Sequence, residues 1–270
     1  MFITASIVTY HTKQDDLNRL IDCVMRSPIA VLYIVDNSTH DALRKKVADN
    51  PKIHYIHSIN RGYGAGHNIA LQLAMDTDAK YHVILNPDIY WTDDVITELA
   101  EFMETHKNCG LVMPRILYPD GTVQRLCKLL PSPIDLVIRR FVPIRALRQQ
   151  LDYHYEMQWA DYDKIMEVPS LSGCFMFLNC SILQQTGLFD ERFFMYAEDL
   201  DLCRRIGEVA QTVYHPIVSA YHEYAKGSYK NRKLLKYHMC SIIKYFNKWG
   251  WFFDTKRRLK NRVCKSKILS

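Results

Sequence analysis

Apolar residues run through the first half of the chain as short dense blocks, separated by longer stretches in which they recur every three or four positions. The blocks ITASIVTY (3–10), VLYIVDN (31–37), KIHYIHS (52–58) and YHVILNP (81–87) have the length and the β-branched and aromatic content of buried strands. Between them, Asp15 to Met25, His40 to Asp49, Ala65 to Met75 and Asp93 to His106 show helical spacing, with acids or Asn near their starts. Strand and helix in alternation predict right-handed crossovers, and hence an α/β fold with a mainly parallel central sheet and helices on both faces. Ligands of such a sheet bind beyond the carboxyl ends of its strands. Here those ends read Thr9-Tyr10-His11, Asp36-Asn37-Ser38, Asn60-Arg61-Gly62 and Asn86-Pro87-Asp88, all polar.

The alternation loosens over 117–168, where Pro119, Pro131, Pro133 and Pro143 punctuate one basic, apolar helix candidate, Asp135 to Leu151. This stretch reads as an insertion. VPSLSGCFMFLN (168–179) predicts a buried strand. GLFDERFFMYAEDLDLCRRIG (187–207) predicts an acidic loop leading into a helix, and TVYHPIVSAYHEYAKGS (212–228) a strand followed by a loop. From Tyr229 onward the chain is helical in pattern, basic and aromatic, and no repeat or low-complexity tract interrupts it.

Length and composition agree with one large α/β core: 270 residues, 48% hydrophobic and 24% charged. The eight cysteines are scattered, without CxxC pairs or zinc-site spacing, and are read as reduced, mostly buried thiols. The opening MFITASIVTYHTKQDD reads directly as a first strand without the basic head and apolar stretch of a signal peptide, which together with the cysteines predicts a cytoplasmic protein. No run approaches the roughly 18–20 apolar residues of a membrane span. Charge changes the picture more. The net +6 conceals a basic end, residues 226–270, in which Asp254 is the one acid among fourteen Lys and Arg, while the rest is net acidic. Such segregation predicts an anionic partner for that end, a membrane surface or a nucleic acid.

Several polar groups can carry chemistry. Asp88, at a strand end, is placed to reach a divalent cation that keeps water and phosphate oxygens as its other ligands, although Asn86-Pro87-Asp88 is also an ordinary turn. Asp36, with Asn37 and Ser38, can accept hydrogen bonds from a base or ribose. NRGYGAGHN (60–68) offers glycines and backbone N–H groups to a phosphate, though its spacing is not GxGxxG. Glu198-Asp199-x-Asp201 supplies carboxylates for general-base work, or else favours a helix dipole. His222 is a candidate third metal ligand or a structural histidine. Lys226, Lys230 and Arg232 can steady a diphosphate or form a solvated face.

Six of these segments, in order, resemble family 2 glycosyltransferases, particularly the bacterial rhamnosyltransferase-like branch: IVTYH (7–11), VDNS (35–38), NRGYGAGHN (60–68), LNPD (85–88), LSGCFMF (171–177) and FDERFFMYAEDLDLCRR (189–205). The likeness extends over about residues 3–228. It implies a Rossmann-like GT-A catalytic domain over 1–228, with a nucleotide-sugar part to about 115 and an acceptor part over 116–228, followed by a basic amphipathic helical tail over 229–270. It implies that Thr9, Tyr10, Asp36 and Asn37 hold the nucleoside, that Gly64 and Asn68 lie along the nucleotide, and that Gly173 sits by the sugar. Asp88 becomes the metal-binding carboxylate, His222 a late metal ligand, Asp199 the general base, and Glu198 the group that orients acceptor or base. Two departures stand out: His11 replaces the Asn frequent in this branch, and NPD lacks one carboxylate of the DxD motif. The implied activity is inverting transfer of rhamnose from dTDP-rhamnose, or of a hexose from a UDP-sugar, onto a glycan hydroxyl in surface polysaccharide, O-antigen or capsule synthesis, with Mg²⁺ or Mn²⁺. FNKWGWFF (246–253) within the basic tail has the composition of a helix lying on an anionic lipid surface, which suits a lipid-linked acceptor. A metal-dependent nucleotidyltransferase and a nucleic-acid binder acting through the tail are the alternatives.

Overall fold

A computed structural model describes residues 1–47, 50–138, 143–223 and 232–269. Among them, β1 (Ile3–Thr9), β2 (Val31–Asp36), β3 (Ile53–His57) and β4 (Tyr81–Leu85) form the parallel half of one sheet, in the order β3-β2-β1-β4. The other half is mixed. β8 (Phe175–Asn179) lies antiparallel between β4 and β6 (Cys109–Leu117), and β9 (Gln211–His222) runs parallel to β6. The short β5 (Ile89–Tyr90) and β7 (Met166–Glu167) pair antiparallel with β9.

Helices cover both faces. Ile3, Ala5 and Ile7 of β1 are fully buried in the main core, which takes in residues of α1 (Gln14–Met25) and α4 (Val95–Thr105). The short helix α2 (Arg44–Val47) adds Val47 to the same core. On the opposite face α3 (Tyr63–Asp76) packs Ala70 and Ala74 against Tyr33 and Val35. That face also carries a buried polar line. Thr4 bonds to His82 (2.8 Å), His82 to Ser6 (2.7 Å), and Ser6 to His67 (2.7 Å).

Burial lowers the pKa of both imidazoles, that of His82 to about 3. A folded pKa below the unfolded value means that the stabilisation is complete above about pH 6.5 and declines as pH falls. At pH 5 the loss is about 2 kcal/mol for His82. Urea unfolding at pH 7 and pH 5 measures it. Glu198, a buried carboxyl with a raised pKa, titrates with the opposite sign, so the readout is the difference between the parent and His82→Gln. An identical pH slope in the two proteins would refute the assignment.

Three predicted elements differ in extent from those in the structure, and one strand was not predicted. Within 168–179 only 175–179 is strand, because the Gly173 N–H leaves the sheet to bond the Asp199 carboxylate. The helix expected over 135–151 is instead a π-helical turn, Ile134–Ile138, and α5 (Arg145–Tyr155). The helix over 40–49 contracts to 44–47, with 48 and 49 outside the described residues. The apolar pattern did not single out β6, whose Pro114 interrupts it; a register shift between Pro114 and Arg115 accommodates the proline in a buried strand.

α6 (Cys180–Thr186) and α7 (Glu198–Val209) precede β9; α8 (Arg232–Trp249) and α9 (Thr255–Leu269) follow it. FNKWGWFF is not one lipid-facing stripe. Phe246 is buried with Ile242 and Tyr245 against Leu130, Phe193 and Leu200. Trp249 donates to Asp201 Oδ1 (2.8 Å), and Gly250, at φ +97°, ends the helix. All eight cysteines are free thiols, and all but Cys240 are buried.

Candidate active site

The parallel half of the sheet ends in a set of acceptors. Asp36 is buried, and its carboxylate accepts from Thr9 Oγ1 (3.0 Å), Ser38 N (3.0 Å) and Tyr55 Oη (2.8 Å). Burial alone raises its pKa, but these hydrogen bonds outweigh burial and hold the group below the ordinary carboxylate range. Beside it Tyr10 is half exposed, its ring edge-on to His11, whose φ is +50°. Asn37 is buried under α3, and its Oδ1 has no hydrogen-bond partner among the described residues.

Asp88 and His222 meet. Asp88 Oδ1 lies 3.4 Å from His222 Nε2, and Asn86 Nδ2 lies 3.3 Å from the same nitrogen. The pairing of β5 with β9 places Ile89 opposite His222 and so brings the histidine to the turn after β4. On its other side Gln124 clamps the ring: Nδ1 donates to Gln124 Oε1 (3.1 Å), while Gln124 Nε2 donates to the His222 carbonyl (2.7 Å). With its proton on Nδ1, His222 turns the Nε2 lone pair toward a carboxylate, an arrangement that a cation between the two relieves. No group of three or more His, Cys, Asp or Glu side chains suited to a metal exists among the described residues. Two donors leave most coordination positions to phosphate oxygens and water, as a hard divalent cation serving a diphosphate requires.

Asp199 stands on the other side. Its carboxylate accepts from Gly173 N (2.9 Å) and Leu200 N (2.8 Å) in the first turn of α7. Two successive left-handed residues, Tyr196 (φ +69°) and Ala197 (φ +65°), aim that turn. Glu198 is buried beside it, with Oε2 unpartnered among the described residues; burial, then the Asp199 charge, raises its pKa well above the carboxylate range. A cavity of about 750 Å³ opens at Glu198 and Asp199 and is walled by Lys128, Arg148, Tyr155 and His238.

Tyr63 joins the two halves. Its hydroxyl donates to the Gly173 carbonyl (2.7 Å) and lies 3.2 Å from Asn86 Oδ1, while Asn86 N donates to the Cys174 carbonyl (2.8 Å). Residues 173–174 are therefore held by the Asp88 turn on one flank and by Asp199 on the other.

Other expected groups have partners within the protein. The Asn68 side chain is engaged by the 189–191 loop, accepting from Phe189 N (3.0 Å) and donating to Phe189 O (2.9 Å) and Glu191 (3.1 Å). Gly64 packs on Phe189, where a Cβ would come within 2.9 Å of that side chain. Gly62, at φ +110°, lets Tyr63 N reach Phe194 O, which a Cβ would meet at 2.2 Å. The glycines thus bring α3 against the loop that carries Asp199. Asp201 is tied to Arg205 (2.8 Å), Lys248 (2.7 Å) and Trp249 (2.8 Å), which is structural work. Lys226 and Lys230 lie outside the described residues, and Arg232 is exposed at the start of α8.

The sequence profile described as "Glycosyl transferase family 2" matches residues 5–184, a span that holds Thr9, Asp36, Asp88 and Gly173. The chain belongs to glycosyl transferase family 2. Among the relatives of this glycosyltransferase, the N-acetylglucosaminyl-diphospho-decaprenol L-rhamnosyltransferase of Mycobacterium tuberculosis is 30% identical over 73% of the chain and 67% of its own length. The low-salt glycan biosynthesis hexosyltransferase Agl10 of Haloferax volcanii is 27% identical over 74% of the chain, a match spanning 60% of that relative. The rhamnosyltransferase WbbL of Escherichia coli K12 is 22% identical over 95% of the chain and 94% of its own length. The solved structure of GalNAc-T7 with UDP, GalNAc and Mn²⁺ superposes with a TM-score of 0.61 at 13% identity, covering 83% of this chain and 44% of that one. That likeness shows the GT-A fold.

Gln124 and Tyr63 were not singled out in the sequence, and Asn86 was read only as part of the polar turn before Asp88. Gln124 lies in a stretch without periodicity, and nothing local marks a glutamine whose partner, His222, is 98 positions away.

Proposed function

We propose that this glycosyltransferase transfers a sugar, with inversion, from a nucleotide-sugar donor to a hydroxyl of a glycan acceptor in surface polysaccharide assembly. The observation that carries the reading is the segment 173–174, flanked by the Asp88–His222 pair and by Asp199. The donor is dTDP-rhamnose or a UDP-hexose, with its nucleoside at Tyr10, Thr9, Asp36 and Asn37 and its sugar at Gly173. Asp88 and His222 would hold Mg²⁺ or Mn²⁺, which when bound would supply positive charge to the departing diphosphate. The acceptor occupies the cavity at Asp199. There the Asp199 carboxylate takes the hydroxyl proton, the acceptor oxygen forms its bond to the anomeric carbon, and the bond from that carbon to the diphosphate oxygen breaks, its electron pair leaving with the nucleotide. Glu198, whose burial favours the protonated form, orients the acceptor or Asp199 by a hydrogen bond from its carboxyl O–H, the proton staying on Glu198.

A lipid-linked acceptor suits the cavity, whose wall carries Arg125, Lys128 and Arg148, none in an ion pair with a described residue; the mycobacterial relative's name specifies a diphospho-decaprenol acceptor. We place the enzyme at the cytoplasmic face of a membrane, held there by its basic tail; no helix of the described residues is long and apolar enough to cross. A nucleotidyltransferase reading needs two or three carboxylates around a metal pair, which the described residues do not assemble.

Thermal denaturation with a panel of UDP-, GDP- and dTDP-sugars tests the donor site. One nucleotide with Mn²⁺ or Mg²⁺ should raise the Tm by about 5–10 °C at a hundredfold excess over Kd. Asp88→Ala should abolish that shift; a metal-dependent shift that survives the substitution refutes the site.

The Gln124 clamp makes a separate prediction, read by calorimetric titration of Mn²⁺ in the presence of the nucleotide. Gln124→Leu should weaken metal binding about 10–100-fold, as loss of such an outer partner does elsewhere. Gln124→Glu, which still accepts from Nδ1, should retain most of the affinity. Equal affinity in Gln124→Leu and the parent would show that the clamp does not serve the metal.

A further inference from the structure

Two phenylalanines are displayed to solvent by a turn that is otherwise firmly built. Phe253 is 93% exposed and Phe252 65%. On one side of them Trp251 packs on Phe246, with ring centroids 5.1 Å apart, and donates to Asn247 Oδ1 (2.9 Å). On the other side Asp254 is buried, ion-paired with Arg204 (2.7 Å), and caps α9 by accepting from Arg257 N (2.9 Å). The Phe252 carbonyl accepts from Arg258 (3.3 Å). Both shoulders of the turn are thus anchored to the catalytic core, and the two residues between them are apolar where a turn ordinarily carries polar side chains.

The surroundings are cationic. α8 and α9 contain twelve Lys and Arg, and the acid between them, Asp254, is buried. Arg258, Arg262 and Lys265 form no ion pair with any described residue. Exposed aromatic side chains on a rigid tip, set among unpaired cations, match a surface with an anionic outer layer and an apolar interior.

We infer that the turn 250–254 is a docking prong that inserts Phe252 and Phe253 into an anionic lipid bilayer while Arg258, Arg262 and Lys265 meet its headgroups. This deepens the reading of the basic tail given above and places the contact on the turn between two helices that themselves dock on the core. It also orients the enzyme. Ile242, two helical turns before Trp249 on α8, lines the acceptor cavity, so a seated prong holds the cavity within about 10–20 Å of the membrane.

Vesicle flotation of the full chain tests the prong without donor or acceptor, so its failure leaves the transferase reading intact. The parent should bind vesicles of phosphatidylcholine mixed with phosphatidylglycerol, bind phosphatidylcholine alone weakly, and be released by salt. Phe252→Ser with Phe253→Ser should weaken binding about tenfold or more at an unchanged Tm. Arg258→Gln with Arg262→Gln should weaken it by about fivefold per charge removed. Three results would overturn the inference: no binding by the parent, undiminished binding by the phenylalanine variant, or a dimer of the parent that this variant dissociates, which would make the prong a subunit contact.

Discussion

Asp199→Asn is expected to lower the rate of sugar transfer by about 10²–10⁴-fold while leaving the donor-induced rise in Tm in place. The amide oxygen can still accept from one of the two backbone N–H groups, Gly173 N or Leu200 N, while its NH2 group cannot accept from the other, so the variant loses the capacity to take a proton together with one of the two hydrogen bonds that position residue 199. Glu198→Gln is the contrast. Because burial favours the neutral form of Glu198, a neutral amide of the same shape changes its charge little and should reduce the rate far less. Single-turnover transfer with purified protein separates the two. If Asp199→Asn kept more than about a tenth of the activity, or if Glu198→Gln were the more damaging change, another group would be the base.

Arg204→Ala is expected to cost about 3–5 kcal/mol of stability, because it strands a buried carboxylate. Arg204 and Asp254 are ion-paired at 2.7 Å, with their side chains only 4% and 3% exposed. The guanidinium also lies 4.1 Å over the Trp249 ring and 3.3 Å from the Tyr245 hydroxyl. One side chain therefore ties α7, which carries Asp199, to both helices of the tail. The Tm should fall by about 10 °C. Adding Asp254→Leu should restore part of the loss, since the expense lies in the unpaired charge. Scanning calorimetry of the single and double variants decides; a loss below about 1 kcal/mol for Arg204→Ala would mean that tail docking rests on the apolar contacts of Tyr245 and Phe246 alone.

Much of this site could be read from local pattern. Asp36 and Asp88 were placed at the sheet edge because each directly follows a block of buried apolar residues, and where such a block ends, the chain leaves the sheet. Asp199 was flagged by composition, but composition did not separate it from Asp201. Two positions apart on a helix are about 200° apart around its axis, so one carboxylate faces Gly173 and the cavity while the other faces Arg205 and the tail. The glycine motif was legible as a place of close backbone approach. That it approaches the loop at Phe189 and Phe194 depends on contacts more than 120 positions away.

By itself the sequence determined the alternation of strands and helices, the polar strand ends, the family resemblance and the basic character of the tail, because burial period, turn chemistry and charge are properties of neighbouring residues. Tertiary structure decided which of these groups meet. His222 comes to Asp88 through the antiparallel register of β5 with β9, Gln124 sets the ring's tautomer from a loop without pattern, and the tail folds inward on Arg204 and leaves only Phe252 and Phe253 of its aromatic run turned outward. Each outcome depends on long-range pairing, which settles a side chain's surroundings only once the strands and helices have packed.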